Sequence, residues 1–90
     1  AENYLYSYPN PMKDYTNIKY FLSEPSYITL KVYNATGEHI TTLENGKKQQ
    51  GEHIVIWNSG GNPPGIYFCI FDNYNNTTRY RIKIIKISHE

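Results

Sequence analysis

The chain has 90 residues, 10 of them tyrosine, and a formal charge of +1 at pH 7. A chain of this length buries only about 60% of its unfolded surface, so we expect residues 1–90 to form a single domain with one core. The nearly balanced charge excludes the strong field that attracts nucleic acid or an anionic membrane, and no run reaches the ~20 apolar residues of a membrane span. Tyrosine, isoleucine and valine dominate the apolar runs and favour strands, which predicts an all-β fold.

The cysteine content and the first residues of the chain bear on the cellular compartment in which the protein works. The only cysteine, Cys69, cannot form an internal disulfide, so packing alone must stabilise the fold. Residues 1–8 lack the basic and apolar regions of a signal peptide. If the protein is exported, we expect its signal to lie upstream of this sequence.

Turn residues divide the sequence into seven predicted strands. The third is the clearest, because Ile28, Leu30 and Val32 alternate with more polar residues. The sixth is apolar on both faces, which is typical of a central strand. The predicted strands comprise residues 4–8, 16–22, 27–33, 38–43, 53–57, 66–71 and 78–87.

The connections between these strands carry their own signals. The fixed backbone of Pro9-Asn10-Pro11 ends the first strand and redirects the chain between two sheets. Asn34-Ala35-Thr36-Gly37 predicts a tight hairpin with positive φ at Gly37, so the third and fourth strands should pair antiparallel. Asn45-Gly46 predicts the end of the fourth strand, followed by a polar loop at 47–50. Ile84-Ile85 interrupts the alternation and predicts a bulge or fraying.

Alternation also places the large side chains in a common interior. Burying Trp57 and Tyr67 should each contribute roughly 2–3 kcal/mol, an extrapolation from smaller core side chains. Cys69 follows Tyr67 by two residues, which predicts a buried, inert thiol. The predicted core consists of Ile28, Leu30, Val32, Val55, Trp57, Tyr67, Cys69, Phe71 and Ile82.

Four segments occur in a familiar order: Tyr8-Pro9-Asn10-Pro11, residues 30–37, residues 51–57 and residues 64–68. Together they resemble the type A C-terminal sorting domain of type IX secretion cargo. That family is similar in turn to the Ig-like domain of flagellar hook-capping proteins. The resemblance covers about residues 8–86 and implies a seven-stranded antiparallel Ig-like β-sandwich.

The resemblance implies transport rather than catalysis. Domains of this family follow a cargo domain, are recognised by an outer-membrane translocon or shuttle, and are usually removed by a surface sortase. The protein would then pass through the periplasm and outer membrane of a Gram-negative bacterium to the cell surface or medium. In this reading the exposed backbone and side chains of the last hairpin, residues 66–86, are the expected docking surface. The candidate recognition residues are Lys83, Lys86, Pro9, Asn10 and Pro11.

Two positions depart from the family pattern. Met12 follows Pro9-Asn10-Pro11 where the family often has phenylalanine, and Asn58-Ser59 follows Trp57 where the family usually has Asp-Gly. Lys86 takes the place of the family's closing lysine. The departures leave the predicted fold in place and widen the choice of function to other Ig-like modules.

Catalytic and metal-binding patterns are missing from the sequence. His39 and His53 stand beside Glu38 and Glu52, but no triplet of ligands recurs at metal-site spacing. The sequence shows no Ser-His-Asp order, phosphate-binding glycine loop or paired carboxylates. We therefore expect no enzyme activity, no metal and no cofactor.

Two surface features invite a binding role. Tyr4, Tyr6 and Tyr8 should share one face of the first strand, as an aromatic platform for sugar or protein, or as core and edge cover. Ile54 and Ile56 should face outward, which hints at a protein contact. Two alternatives therefore stay open beside the sorting signal: a structural or assembly module of an extracellular protein, and a carbohydrate-binding module.

Overall fold

The computed structural model describes residues 4–88. This part of the chain contains seven strands, all paired antiparallel, and no helix, which confirms the predicted all-β sandwich. Strand alternation and the spacing of turn residues were therefore sufficient to predict the class of fold. The strands are β1 (Leu5–Tyr8), β2 (Tyr15–Leu22), β3 (Ser26–Asn34), β4 (His39–Lys48), β5 (Gly51–Asn58), β6 (Gly65–Asn73) and β7 (Thr78–Lys86).

The strands form a three-stranded sheet of order β1-β2-β5 and a four-stranded sheet of order β4-β3-β6-β7. β1, β2 and β5 take the places of strands A, B and E of the immunoglobulin constant fold, and β3, β6 and β7 those of C, F and G. β4 pairs with β3 instead of joining β5. β6 lies between two neighbours, as its two apolar faces predicted.

The core lies between the inward faces of the two sheets. Trp57 and Tyr67 form an edge-to-face pair, with ring centroids 5.1 Å apart and planes at 66°. Val55 and Ile82 are half-buried and pack against the margin of the core. Every second residue of a strand points inward, so the core is contiguous from one end of the sandwich to the other. The buried apolar residues are Met12, Ile18, Tyr20, Leu22, Ile28, Leu30, Val32, Trp57, Tyr67, Cys69, Phe71 and Ile84.

The hairpin between β3 and β4 was predicted correctly at its turn and wrongly at its length. Gly37 has a φ of 90°, as the turn requires. The predicted end at Asn45-Gly46 is wrong, because β4 continues to Lys48 and leaves only Gln49 and Gln50 before β5. Gly46, at a φ of 153°, keeps β4 paired with β3 in a conformation that favours glycine. Residues 47 and 48 of the predicted loop at 47–50 therefore belong to β4.

The predicted irregularity at Ile84-Ile85 is also wrong. β7 pairs with β6 without a register shift as far as Lys86, which lies opposite Gly65. Ile84 is completely buried. Both faces of this strand are apolar near its end, so the doubled isoleucine reflects burial and not a bulge. The register shifts in this sheet lie instead between β3 and β4.

Candidate recognition site at one end of the sandwich

Residues 9–12, here called the strap, connect the two sheets by running from the end of β1 to the edge of β7. Met12 forms a parallel bridge with Lys86. Its amide donates to the carbonyl of Ile85 over 2.8 Å, and its carbonyl accepts from the amide of Ile87 over 2.9 Å. The Met12 side chain is 1% exposed, so the strap is anchored in the core as well as along the strand.

Asn10 fastens the middle of the strap to the same strand edge. Its Nδ2 donates to the carbonyl oxygen of Lys83 over 2.8 Å, and its Oδ1 accepts from the amide of Ile85 over 3.0 Å. The side-chain amide therefore satisfies one backbone acceptor and one backbone donor of β7. The edge of β7 is covered from residue 83 to 87, so this part is closed to the strand addition expected for the last hairpin.

Lys86 lies inside this end of the sandwich, with 8% of its surface exposed. Its Nζ donates to the carbonyl oxygens of Ser59, over 3.0 Å, and Asn62, over 2.5 Å. Both acceptors belong to the loop between β5 and β6, residues 59–64. This corrects the expectation of an exposed side chain at this position, because Lys86 continues the inward-facing row of β7 and holds a loop from within.

Three further bonds fix the same loop. The amide and hydroxyl of Ser59 both donate to the carbonyl oxygen of Asp14, over 2.8 and 3.1 Å. The Tyr67 hydroxyl donates to the carbonyl of Pro63 over 2.5 Å. Burial raises the pKa of the Tyr67 phenol, which keeps its proton on the oxygen as a donor. The loop is thus tied to the segment after the strap, to β6 and to β7.

A shallow groove of about 310 Å³ opens on the outside of this end. Tyr15 and Ile87 are 49% and 41% exposed along it. An exposed apolar strip bordered by charge has the chemistry of a small protein-binding surface. The lining residues are Pro9, Pro11, Lys13, Asp14, Tyr15 and Ile87.

The structure brings most of the predicted recognition residues to this end. Pro9, Asn10 and Pro11 are exposed in the strap, and Lys83 is exposed on β7 beside it. Lys86 is buried behind these residues, where its amine holds the loop at 59–64. The sequence reasoning missed Met12 and Ser59 as parts of this site. Met12 could be found, because it is an isolated apolar residue after a turn. The inward orientation of Lys86 could also be found, by extending the β7 alternation by one step.

The three tyrosines of the first strand form a ladder on the outer face of the three-stranded sheet. Neighbouring ring centroids of Tyr4, Tyr6 and Tyr8 lie 5.7 and 5.8 Å apart, with planes tilted by 38° and 32°. The Nζ of Lys19 lies over the Tyr6 ring, 5.8 Å from its centroid. Because the planes of neighbouring rings are tilted, the three rings do not form one coplanar platform.

The ladder is tied to β5 by a small polar network. The Tyr4 hydroxyl donates to a carboxylate oxygen of Glu52, which also pairs with Lys19 over 3.2 Å. The hydrogen bond to Glu52 raises the pKa of Tyr4, and the same bond lowers the pKa of Glu52. On the same outer face, Ile54 and Ile56 are 54% and 60% exposed. This sheet therefore carries exposed apolar area on β5.

Residues 4–88 contain no reactive thiol, no metal-binding cluster and no membrane-spanning helix. Burial raises the pKa of Cys69 to about 12, so the thiolate is not populated near neutral pH. That part of the chain holds no group of three or more histidine, cysteine or acidic side chains able to bind a metal ion. It also contains no helix long and apolar enough to cross a membrane.

The fold and this end of the molecule define a class: a small antiparallel β-sandwich of Ig-like strand order whose terminal strand is covered by an N-terminal strap. A family model described as a secretion system C-terminal sorting domain matches residues 6–86. The chain belongs to this family, the sorting domains of type IX secretion, which confirms the resemblance found in the sequence. Comparison with curated proteins and with solved structures gives no match.

Membership of this family gives the general function of the domain. A domain of this family is a sorting signal for type IX secretion, so the protein is one that is secreted or displayed at the cell surface. It is attached to cargo and recognised by the secretion machinery. The family is non-catalytic. The matched range, residues 6–86, contains the strap, the loop at 59–64 and Lys86.

Proposed function

We propose that residues 1–90 act as one sorting domain that takes its cargo through the periplasm and outer membrane of a Gram-negative bacterium to the cell surface or medium. An outer-membrane translocon or shuttle protein recognises the folded end that carries the strap and its groove. A surface sortase then removes the domain. The observation that supports this site is that three separate segments of the chain meet at the same end of the sandwich. These segments contain Pro9-Asn10-Pro11, Tyr67 and Lys86.

The recognised surface combines three groups with different roles. Pro9 and Pro11 line the groove and present a fixed backbone. Lys83 adds a positive charge next to the strap. Lys86 acts from behind as a positioning residue, because its amine is bound to the carbonyls of the loop at 59–64. A receptor that binds this surface therefore selects the folded domain over an unfolded chain.

Export of a reporter tests the function directly. Residues 1–90 are fused to the C-terminus of a periplasmic reporter and expressed in a type IX-competent host and in the same host with the translocon deleted. We expect the reporter at the surface or in the medium of the first strain only, shortened by the size of the domain where the sortase acts. A reporter that stays in the periplasm of the competent strain would show that the chain is not a sorting signal.

Variants of the groove test the recognition site. Tyr15→Asp and Ile87→Asp place a carboxylate in the apolar strip, and we expect each to reduce export several-fold. Tyr27→Asp is the matched control, because Tyr27 is 48% exposed and lies near the β6–β7 turn, at the opposite end of β3 from the hairpin that follows Asn34. Near-UV circular dichroism checks that each variant is folded. Export equal to the control would exclude the groove as the recognition site.

A further inference from the structure

Sheet edges differ in how well they are protected from pairing with another strand. The strap covers β7 from residue 83 to 87. β4 has two register shifts and ends in Lys47 and Lys48. β1 is only four residues long. Covering segments, bulges, lysines and short length are the devices by which natural sheets avoid edge-to-edge association.

Within the part of the chain that the structure describes, β5 has none of these devices. It runs for eight residues and pairs with β2 in an uninterrupted register from Gly51 to Asn58. It contains no lysine, arginine or proline. Its outward row includes Ile54 and Ile56, which are 54% and 60% exposed. A regular, apolar edge of this kind is a template for strand addition.

The sequence of β5 is complementary to itself in one antiparallel register. If two copies pair about a two-fold axis at Val55, Ile54 of one copy lies opposite Ile56 of the other, and Glu52 lies opposite Asn58. The four isoleucines then form one cluster, and the Asn58 amide can donate to the Glu52 carboxylate at each end. A shift by two residues in either direction separates the isoleucine pairs or places Glu52 against an isoleucine.

We propose that the β5 edge is a self-association surface, where two copies of this chain pair antiparallel about Val55 and join their three-stranded sheets into one six-stranded sheet. The contact is isologous, so it closes at a dimer and leaves no second β5 edge open. One strand edge buries less than the ~1,200–2,000 Å² of a stable interface, so association is weak and concentration-dependent. This property is separate from sorting.

Sedimentation velocity of the purified chain tests the surface. Over a roughly 100-fold range of concentration we expect a monomer–dimer equilibrium, with a dissociation constant raised about 10-fold or more by Ile54→Lys or Ile56→Lys, since each change acts twice in a symmetric contact. Ile66→Lys is the matched control, because Ile66 is 43% exposed on the other sheet. A chain that stays monomeric throughout, or a control that weakens association equally, would overturn the proposal.

Disulfide formation tests the register. Ile54→Cys and Ile56→Cys chains are mixed under mild oxidation, and we expect the mixed dimer to form faster than either homodimer. Cys69 is completely buried and does not compete. Equal rates for all three species would overturn the Val55 register.

The same Ile54→Lys variant in the export assay separates this proposal from the sorting function. We expect export to be unchanged, because the strap and groove lie elsewhere. A monomeric wild-type chain whose export is lost on Ile54→Lys would assign the β5 edge to a strand of the secretion machinery and overturn the dimer.

Discussion

The amine of Lys86 lies 3.0 Å from the carbonyl oxygen of Ser59, a residue 27 positions earlier in the chain. The same amine donates to the carbonyl oxygen of Asn62 over 2.5 Å. A buried cation must exchange its water for other oxygen atoms, and here backbone dipoles supply them. These two hydrogen bonds therefore couple the position of the last strand to that of the loop between β5 and β6.

Replacing the amine of Lys86 tests this coupling. Lys86→Met keeps the length of the stem but removes the amine donor from the carbonyls of Ser59 and Asn62. Of these two, only the Ser59 carbonyl keeps another donor among the described residues, the Asn62 amide at 2.7 Å. We expect the free energy of unfolding to fall by about 1–3 kcal/mol in urea denaturation, the usual cost of unsatisfied buried groups.

Lys83→Met is the control for charge, because Lys83 is exposed on the same strand. It should change the free energy of unfolding by no more than about 0.5 kcal/mol. Equal effects of the two substitutions would contradict a structural role for the buried amine.

Two buried tyrosines should respond in opposite directions to loss of the hydroxyl. The Tyr20 hydroxyl is buried without a hydrogen-bond partner among the described residues, so Tyr20→Phe should raise stability by about 1 kcal/mol. The Tyr67 hydroxyl donates to the Pro63 carbonyl, so Tyr67→Phe should lower it by a similar amount, about 1 kcal/mol. Thermal unfolding measures both. A destabilised Tyr20→Phe variant would show that this hydroxyl has a partner after all.

Asn10→Ala should open the covered edge of β7. The substitution removes both side-chain bonds to the strand, at Lys83 and Ile85. We expect the Ile85 amide to exchange with deuterium about 5–30 times faster, which corresponds to a loss of about 1–2 kcal/mol.

Asn17→Ala is the comparison, since Asn17 donates to the Tyr8 carbonyl at the other end of the strap. Exchange at Ile85 should be unchanged in that variant. Unaltered exchange at Ile85 in Asn10→Ala would mean that the backbone bridge of Met12 alone holds the strap.

Stability should decline in alkali because of Cys69. Burial raises its pKa from an ordinary value near 9.0 to about 12. Between these values the unfolded chain releases the thiol proton while the folded chain retains it, so unfolding becomes more favourable as pH rises. The slope is at most about 1.4 kcal/mol per pH unit for this group.

Urea denaturation at several pH values measures this decline. Cys69→Ala should show a shallower loss of stability, although the raised pKa values of Tyr20 and Tyr67 add to the decline at higher pH. A thiol reagent at pH 8 should label the wild-type chain only after denaturation. Rapid labelling of the folded chain would contradict the burial of the thiol.

Local alternation predicted most of the fold, because each strand with one buried face shows its pattern in the sequence. Ile28, Leu30 and Val32 indicate β3 without further information, and all three are fully buried. The end of β4 was predicted wrongly because Asn45-Gly46 is a turn signal. Gly46 instead takes a glycine-type conformation within the pairing with β3, which only the neighbouring strand determines.

The candidate site was predicted less completely. The sequence singled out Pro9, Asn10, Pro11 and Lys86, but not what connects them. Asn10 bonds to residues 73 and 75 positions away, and no local pattern encodes a contact of that separation. Alternation along β7 did contain the orientation of Lys86. A charged side chain is expected at the surface, whereas the position of Lys86 in the inward-facing row of β7 predicts burial. Lys86 is buried because the carbonyls of the loop at 59–64 accept hydrogen bonds from its amine.

The strap has a consequence for the order in which the domain can form. Its bonds join the first strand region to the last, so they cannot form until almost the whole matched sequence has left the ribosome. Such distant contacts are slow to form, because the intervening chain must be ordered first. A partner that binds the closed strap would therefore not bind nascent or truncated chains. Export from the cell would then require a completely folded sandwich.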